Sequence, residues 1–312
     1  MTLRSLFEVA APAKLNLFLH VVGKRPDGYH LLESLFVLID WSDTLHFEVR
    51  TDGALARHDL SAVLPPDDLC LRAARALQAA SGTRLGADIS IDKQVPWGAG
   101  LGGGSSDAAS TLLALNRLWG LHWSRARLLA LGLTLGADVP FFIGGQNAFV
   151  EGIGERLTPV TVPPQRFAVL KPAASIETRA LFTSDILAAT VQAAILESLI
   201  PNVDSNLSNQ RLKGFKDLGA EKDYGAVLAP GFGRNDLEAA AKAQCPELVQ
   251  AAGTLQKQFG NSRMTGSGSA VFARADSAAG DVIPTNLSPA WVGRMSRSLA
   301  QHPLVGWADD ES

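Results

Sequence analysis

The amino-acid sequence predicts a mixed α/β protein of the α+β type, built from two packed domains. The chain has 312 residues, which exceeds the common size of a single domain. Apolar and polar residues alternate over 13–22, as in a strand, whereas residues 69–80 form an apolar helical stretch with end signals on both sides. An apolar fraction of 46% is sufficient for a large core.

The first predicted strand has two unlike faces. Its odd-numbered positions are Leu15, Leu17, Leu19 and Val21, and its even-numbered positions are Lys14, Asn16, Phe18 and His20. By itself, the second face is typical of a strand surface in contact with solvent. A Pro-Asp-Gly turn lies within 23–30 and an apolar strand follows over 31–39, so we expect an antiparallel hairpin. Leu45, Phe47 and Val49 predict a third strand.

A helix and another strand follow the hairpin. Asp67 or Asp68 is suited to cap a helix over 69–80, and Gly82 is suited to end it. Over 88–93, isoleucines alternate with polar residues, which predicts a strand with one buried face.

The segment 96–107, PWGAGLGGGSSD, lies between that strand and a helical stretch that runs to Trp119 and ends at Gly120. A strand, a glycine loop and a helix start direct backbone N–H groups and the positive end of the helix dipole to one point. Glycine also lets a bulky anion approach the backbone. We therefore predict a polyphosphate site formed by Pro96, Gly98, Gly100, Leu101, Gly102, Gly103, Gly104, Ser105 and Ser106.

Other interpretations of this loop are weaker. Gly98-x-Gly100-x-x-Gly103 formally matches the dinucleotide fingerprint of NAD-dependent oxidoreductases, which requires an acidic residue at the end of a second strand about 20 positions later. Here the corresponding region, 121–133, is helical and basic. A Walker A loop is excluded because no Lys-Ser/Thr pair follows the glycines. A tight structural turn remains the alternative from the pattern alone.

The helical pattern continues after the loop. Ser124 is suited to cap a helix over 125–135, and Gly136 is suited to end it. Asp138 and Pro140 predict the start of a further helix. Taken alone, Asp138 is more typical of a helix cap than of a catalytic group.

The domain boundary is predicted near the sequence VPPQ at 162–165, which interrupts the pattern between strands over 147–153 and 167–171. The domains are therefore expected to be 1–164 and 165–312.

The second half is less regular. Helices are predicted over 178–199, 235–243 and 246–259, and a polar, glycine-rich stretch over 201–233 is expected to form loops around one short helix. Residues 264–273 predict a glycine turn that leads into a buried strand, and the tail is expected to pack as a last helix.

Composition excludes several classes of partner. The net charge of −3 provides no basic surface for nucleic acid or anionic membrane. The two cysteines, Cys70 and Cys245, lie in no metal-binding spacing and are expected to be reduced and buried. No stretch has the length and apolar character of a membrane span or a secretory signal, so a cytoplasmic location is expected.

Five sequence blocks together resemble the GHMP family of small-molecule kinases. In chain order they are PAKLNLFL, RPDGYH, PWGAGLGGGSSDAA, LGADVPFF and TGSGSAVF, and they span about residues 11 to 273. The resemblance implies a two-domain fold. Residues 1–164 would form a ribosomal-protein-S5-like domain that binds ATP, and residues 165–312 a ferredoxin-like domain that contributes to substrate binding.

The resemblance also implies phosphoryl transfer from ATP, with Mg²⁺, to a hydroxyl group of a small alcohol. The blocks PAKLNL, DGYH and GADVP are most similar to the branch in the non-mevalonate isoprenoid pathway, whose acceptor carries a cytidine diphosphate group. Family members acting on homoserine, mevalonate or sugars remain alternatives, as does a nucleotide-binding module without catalysis. No carboxylate cluster indicates the metal ligands, so the ion is expected to be held mostly by phosphates and water.

Individual roles follow from the same resemblance. Lys14 and Asp138 match the catalytic residues of the family, with Asp138 accepting or orienting the alcohol proton. The residues expected to bind substrate are Asn16, Tyr29, His30, Asp138, Thr178 and Phe182. Among them, His30 and Asn16 would recognise the cytosine, with Tyr29 and Phe182 against the base. A core position on an amphipathic helix is an equal alternative for Phe182.

Overall fold

Two β-sheets with flanking helices form the structure, a computed structural model that describes residues 3–199, 233–275, 282–284 and 287–310. The first sheet contains β1 (Ser5–Lys24), β2 (His30–Arg50), β3 (Leu55–Asp59), β4 (Gly86–Asp92), β5 (Ala148–Gly152) and β6 (Arg156–Pro159). Its order is β3-β4-β2-β5-β6, with β1 also paired to β2. Only the β3–β4 pair of this sheet is parallel.

Four helices accompany the first sheet, namely α1 (Leu69–Ser81), α2 (Gly103–Leu118), α3 (Arg125–Leu135) and α4 (Val139–Gly144). Ile89 and Ile91 of β4 are buried in one core with Leu77 of α1 and Leu112 of α2. Asp68 caps α1 by accepting a hydrogen bond from Leu71 N, and Gly82 ends that helix at φ 68°. The predicted helix over 69–80 and the buried face of β4 are thus confirmed.

The second sheet contains β7 (Arg166–Lys171), β8 (Arg263–Met264), β9 (Val271–Arg274) and β10 (Val292–Arg297) in the antiparallel order β10-β7-β9-β8. Its helices are α5 (Thr178–Phe182), α6 (Asp185–Leu199), α7 (Glu238–Gln244) and α8 (Pro246–Phe259). The chain changes sheet between Pro159 and Arg166, close to the boundary expected at 162–165. The limits of the two domains stay a prediction.

The face of β1 that carries Lys14, Asn16, Phe18 and His20 is buried, so its interpretation as a solvent-exposed surface is wrong. Phe18 shares a core with Val169 and Phe272 of the second sheet. Lys14 Nζ instead lies over the Phe36 ring of β2 and beside Asp138, and Asn16 contacts Thr265, the residue after β8. The two polar groups at the start of the strand are therefore covered by the first sheet, the start of α4 and the turn after β8.

Three local predictions also need correction. The strands expected over 31–39 and around Leu45 form one continuous β2, because residues 42–48 pair with the first part of β1. The helix expected over 178–199 is divided at Thr183 and Ser184. Ser124 precedes α3 but makes no capping hydrogen bond through its side chain. The prediction over 201–232 lies outside the described residues.

The C-terminal tail returns to the first sheet instead of forming the expected full helix. Over residues 298–310, the part of the tail that the structure describes, the only helical element is a 3-10 turn, Val305–Trp307. Leu299 N donates to Leu38 O at 2.8 Å, and His302 N donates to Gly145 O at 2.8 Å. The Arg125 guanidinium of α3 donates to Ala308 O at 2.8 Å. These hydrogen bonds therefore connect the tail, which follows β10 of the second sheet, to the first sheet and its helices. Within the described ranges, every helix is too short or too polar to span a bilayer.

His302 should make stability depend on pH. This fully buried ring accepts a hydrogen bond from Leu304 N, and burial together with nearby Arg125 lowers its pKa to about 4. His302 therefore takes up a proton near pH 6.5 in the unfolded chain, but only near pH 4 in the folded chain. On acidification from pH 6.5 to pH 4 this group should remove about 3 kcal/mol of the free energy of unfolding.

The variant His302→Asn retains the acceptor without the titration, so denaturant unfolding should show a smaller loss of stability over that pH range than in wild type. Exposed His122, with φ 53°, is the matched control, since asparagine tolerates this conformation. An equal acid sensitivity of wild type and His302→Asn would contradict the assignment.

Candidate functional site

The glycine loop, residues 96–106, is held between β1 and a second glycine turn, residues 265–270. Lys14 N of β1 donates to Leu101 O at 2.9 Å, and Ala270 N of the second glycine turn donates to Ala99 O at 3.1 Å. Gly100 has φ 71°, and a Cβ atom there would clash with Thr265 O. The two main chains are thus in direct contact, and this contact fixes the shape of the loop.

Helix α2 begins at Gly103, inside the segment 96–107 that the sequence places ahead of the helix. Its first backbone N–H groups have no carbonyl partner within the helix, and they carry the positive end of the helix dipole. Gly103, Gly104 and Ser105 at this helix start line one cavity, and the predicted polyphosphate site stays a prediction. This arrangement is suited to binding an anion.

One cavity, which we call the Trp97 cavity, lies on one side of the loop and has a volume of about 590 Å³. Leu64, Pro65 and Trp97 are among its apolar lining residues. Of the predicted polyphosphate residues, those that line it are Pro96, Gly98, Gly100, Leu101, Gly102, Gly103, Gly104 and Ser105.

Ser106 is the predicted loop residue that the Trp97 cavity does not include. Its side chain is fully buried, and its hydroxyl donates to Pro12 O at 2.7 Å. Ser106 thus attaches α2 to β1, and a ligand contact by Ser106 stays a prediction.

A second cavity of about 740 Å³, which we call the His30 cavity, lies on the other side of the loop. It is lined by Lys14 and by all the predicted substrate residues, namely Asn16, Tyr29, His30, Asp138, Thr178 and Phe182. The two cavities share Gly100, Gly102, Thr178 and Ser267 as lining residues. A group bound at the glycine loop can therefore be reached from both sides.

Lys14 and Asp138 form an ion pair beside this shared wall. Lys14 Nζ lies 3.5 Å from Asp138 Oδ2, with the lysine side chain 3% exposed and the aspartate 32% exposed. Burial lowers the pKa of Lys14, and Asp138 opposes that shift. Asp138 precedes α4 but makes no capping hydrogen bond through its side chain. Its carboxylate therefore remains available to the His30 cavity.

The Lys14 ammonium is positioned by Asn16 and by three residues that the sequence did not single out, Ser34, Phe36 and Thr265. Nζ donates to Asn16 Oδ1 at 2.5 Å, and Asn16 Nδ2 donates to Ser34 Oγ at 2.9 Å. Asn16 N donates to Thr265 Oγ1 at 2.9 Å, and Nζ lies 4.5 Å from the centre of the Phe36 ring. The Asn16 amide thus orients the lysine, and recognition of a base by Asn16 stays a prediction.

The aromatic side chains form a wall of the His30 cavity. The His30 and Phe182 rings stack with centroids 5.2 Å apart at 28°. A planar base between them would need a separation of about 7 Å, so in this conformation a base can lie only beside the pair. Tyr29 is 61% exposed at the cavity mouth. Burial and nearby Lys24 lower the pKa of His30, which favours the neutral ring at pH 7.

Two polar residues connect the second glycine turn to its surroundings. Asn235, which sequence analysis treated only as part of a helix, donates from Nδ2 to Met264 O at 2.9 Å and to Gly266 O at 2.8 Å. Thr178 Oγ1 and Ser267 Oγ lie 2.7 Å apart in a hydrogen bond. The turn is thus fixed from the second half of the chain, by contacts too distant in sequence to be predicted.

Comparison with known proteins gives relatives over the full length. The family description "GHMP kinases N terminal domain" matches residues 68–146, and "GHMP kinases C terminal" matches residues 220–290. The chain is 59% identical to a 4-diphosphocytidyl-2-C-methyl-D-erythritol kinase of Methylibium petroleiphilum, over 99% of this chain and 100% of the relative. A protein of the same name from Albidiferax ferrireducens is 50% identical, over 98% and 96% of the two chains.

A solved structure is also similar. The crystal structure of a 4-(cytidine 5'-diphospho)-2C-methyl-D-erythritol kinase superposes with a TM-score of 0.64 at 31% identity. The match covers 94% of this chain and 99% of the other.

The contact between the glycine loop and the second glycine turn should make the fold far less tolerant of substitution at Gly100 than at Gly104. Alanine at Gly100 would be strained by the positive φ and by the clash with Thr265 O, so we expect the free energy of unfolding to fall by about 3 kcal/mol. Alanine at Gly104 meets only Leu69 Cδ1 at 3.6 Å and should leave stability equal or slightly higher. Denaturant unfolding measures both variants, and equal stabilities would contradict this packing.

Proposed function

The chain belongs to the GHMP kinases, within them to the 4-diphosphocytidyl-2-C-methyl-D-erythritol kinases, and we propose a division of the transfer chemistry among its residues. The reaction moves the γ-phosphoryl group of ATP to the C2 hydroxyl of 4-diphosphocytidyl-2-C-methyl-D-erythritol, which gives the 2-phosphate and ADP in the non-mevalonate isoprenoid pathway. The observation that carries the proposal is the Lys14–Asp138 pair beside the wall shared by the two cavities.

The family membership confirms the expected two-domain α/β fold of the GHMP kinases. Residues 1–164 would be the ATP-binding domain and 165–312 the substrate domain. Each cavity nevertheless draws residues from both halves, since Thr178 and Ser267 line both. The transfer site would therefore depend on how the two sheets pack.

ATP would occupy the Trp97 cavity with its phosphates on the glycine loop. The backbone N–H groups at the start of α2 would bind phosphate oxygens, and Ser105 lines the same cavity. No lysine directly follows the glycines in the sequence. Lys14 of β1 reaches the loop, because a Cβ atom at Gly102 would be 3.2 Å from Lys14 Cε. The ammonium would offset the charge that develops on the transferred group.

The alcohol would enter from the His30 cavity, with its C2 hydroxyl facing Asp138. As the new O–P bond forms and the bond to the ADP oxygen breaks, the hydroxyl proton would pass to an Asp138 carboxylate oxygen. The transition state of such transfers is loose, so much of the contribution of Asp138 would lie in orienting the hydroxyl. Burial of Lys14 beside it strengthens this electrostatic arrangement.

Mg²⁺ fits the donor set at the loop. Within the described residues no group of three or more His, Cys, Asp or Glu could hold a metal ion. Mg²⁺ with a nucleotide needs only one or two protein oxygens, because phosphates and water complete its shell. Ser105 lies near Gly136, two residues before Asp138, so its hydroxyl and the Asp138 carboxylate are the candidates. The bound ion would neutralise charge on the phosphate oxygens.

The cytidine group would be bound by the aromatic wall. A neutral His30 ring presents one donor and one acceptor, which suits the edge of a cytosine. Phe182 and Tyr29 would pack against the base, with Thr178 and Asn16 nearby. Acceptors such as homoserine, mevalonate or a sugar carry no base and would make no such contacts with this aromatic wall.

The specific acceptor can be tested with an ADP-coupled assay on the purified chain. We expect turnover with the cytidine alcohol in the presence of Mg²⁺ and ATP, and none above background with homoserine, mevalonate or galactose. Turnover of one of these three in preference to the cytidine alcohol would contradict the proposal.

Asp138→Asn is expected to lower kcat by about 10²–10⁴-fold with the fold intact, because the amide cannot accept the proton. Asp27→Asn is the matched control, since Asp27 lines the same cavity at its exposed turn and should leave kcat unchanged. Circular dichroism would verify folding. Equal kcat values for wild type and Asp138→Asn would refute the role of this carboxylate.

A further inference from the structure

A buried cluster of three charges joins the two ends of the glycine loop. Lys93, the residue after β4, places its ammonium against Asp43 Oδ2 and lies 2.7 Å from Asp107 Oδ2. All three side chains are at most 4% exposed. Asp107 also lines the Trp97 cavity, but none of the three is assigned above to a ligand contact or to the transfer step.

The cluster fixes the entry of the loop through the backbone. Asp43 Oδ1 accepts hydrogen bonds from Gln94 N at 2.6 Å and from Val95 N at 2.7 Å. These two residues immediately precede Pro96, the first residue of the loop. The path of the chain into the loop is therefore set by one carboxylate of β2.

The cluster also fixes the exit of the loop. Asp107 lies in the first turns of α2, directly after the two serines. At Gly103 a Cβ atom would lie 3.0 Å from Val95 Cγ1 and 3.4 Å from Lys93 Nζ, so the start of the helix packs on the cluster without space to spare. A single ammonium thus ties the end of β4 to the beginning of the helix that carries the anion-binding N–H groups.

Burial of these three charged groups costs free energy of folding, so stability alone does not explain the cluster. Two carboxylates share one ammonium in a buried site, and Asp107 Oδ1 has no hydrogen-bond partner within the described residues. Buried ion pairs are often no more stable than apolar side chains of similar size, and an unpaired buried oxygen costs about 1–3 kcal/mol. Tighter binding of a ligand by a correctly shaped glycine loop would offset this cost.

We propose that Asp43, Lys93 and Asp107 are positioning residues for nucleotide binding, which hold the two ends of the glycine loop at the spacing that the phosphates require. The inference rests on the proposed function, because it takes the loop to be the phosphate site. The cluster acts through the loop and touches neither the alcohol nor Asp138. Its loss should therefore weaken nucleotide binding and spare binding of the alcohol.

Asp107→Ala tests the inference, because Lys93 keeps Asp43 as its partner and no uncompensated carboxylate pair remains. Isothermal titration with ADP should give a Kd raised by about tenfold or more, since small displacements of binding groups are costly. The KM for the cytidine alcohol should stay within about twofold of wild type, because the His30 cavity is untouched.

Asp107→Asn should restore most of the ADP affinity. Its amide oxygen can still accept the hydrogen bond that Lys93 Nζ donates to Asp107 Oδ2. Asn116→Ala is the control for stability. It removes two hydrogen bonds to Trp123 at the far end of the same helix and should lower Tm without changing the ADP Kd.

If Asp107→Ala fails to fold, the triple variant Asp43→Asn/Lys93→Met/Asp107→Leu decides the question. It removes all three charges together, while an amide oxygen at position 43 can still accept from Gln94 N and Val95 N. An ADP Kd within twofold of wild type in a folded variant would overturn the inference while leaving the kinase assignment intact. Equal weakening of ADP and alcohol binding would also overturn it. Absence of ADP binding to the wild-type chain would overturn the proposed function and this inference together.

Discussion

The close approach of two main chains, at Gly100 and at Thr265 of the second glycine turn, is the constraint on which the rest of the site depends. A single Cβ atom would not fit there, so the glycine loop lies directly on the turn between β8 and β9. That contact joins the first sheet to the second. It also forms part of the wall that the two cavities share, where we propose that the nucleotide and the alcohol meet.

The charged groups are arranged around this wall by burial. Lys14 comes from a strand whose two faces are both covered, and its ammonium is held by Asn16 and Asp138. A lysine at an exposed loop would lose rotamer entropy whenever it engaged a phosphate, whereas this one is already oriented. Asp138 is also held in position by the backbone, since it directly precedes α4. Its side chain makes no capping hydrogen bond.

Local patterns were sufficient to predict much of this arrangement. Spacing within a few residues predicts the helix over 69–80, the alternation in β4 and the glycine loop. The family resemblance predicted that Lys14, His30 and Asp138 share a site, and all three line the His30 cavity. The partners of these residues could not be predicted, because Thr265 lies 249 positions from Asn16 and the alternation of β2 does not distinguish Ser34 from an ordinary polar position. For the same reason β1 was expected to have a solvated face. Asp138 and Thr265, which lie beside Lys14 and Asn16, are distant in sequence.

The most direct test of the account is a crystal structure with a non-hydrolysable ATP analogue and the cytidine alcohol bound together. We predict the terminal phosphate on the glycine loop near Lys14, and the C2 hydroxyl within hydrogen-bonding distance of an Asp138 carboxylate oxygen, in line with the bond to be broken. A C2 hydroxyl directed away from Asp138, or a triphosphate bound outside the Trp97 cavity, would contradict it.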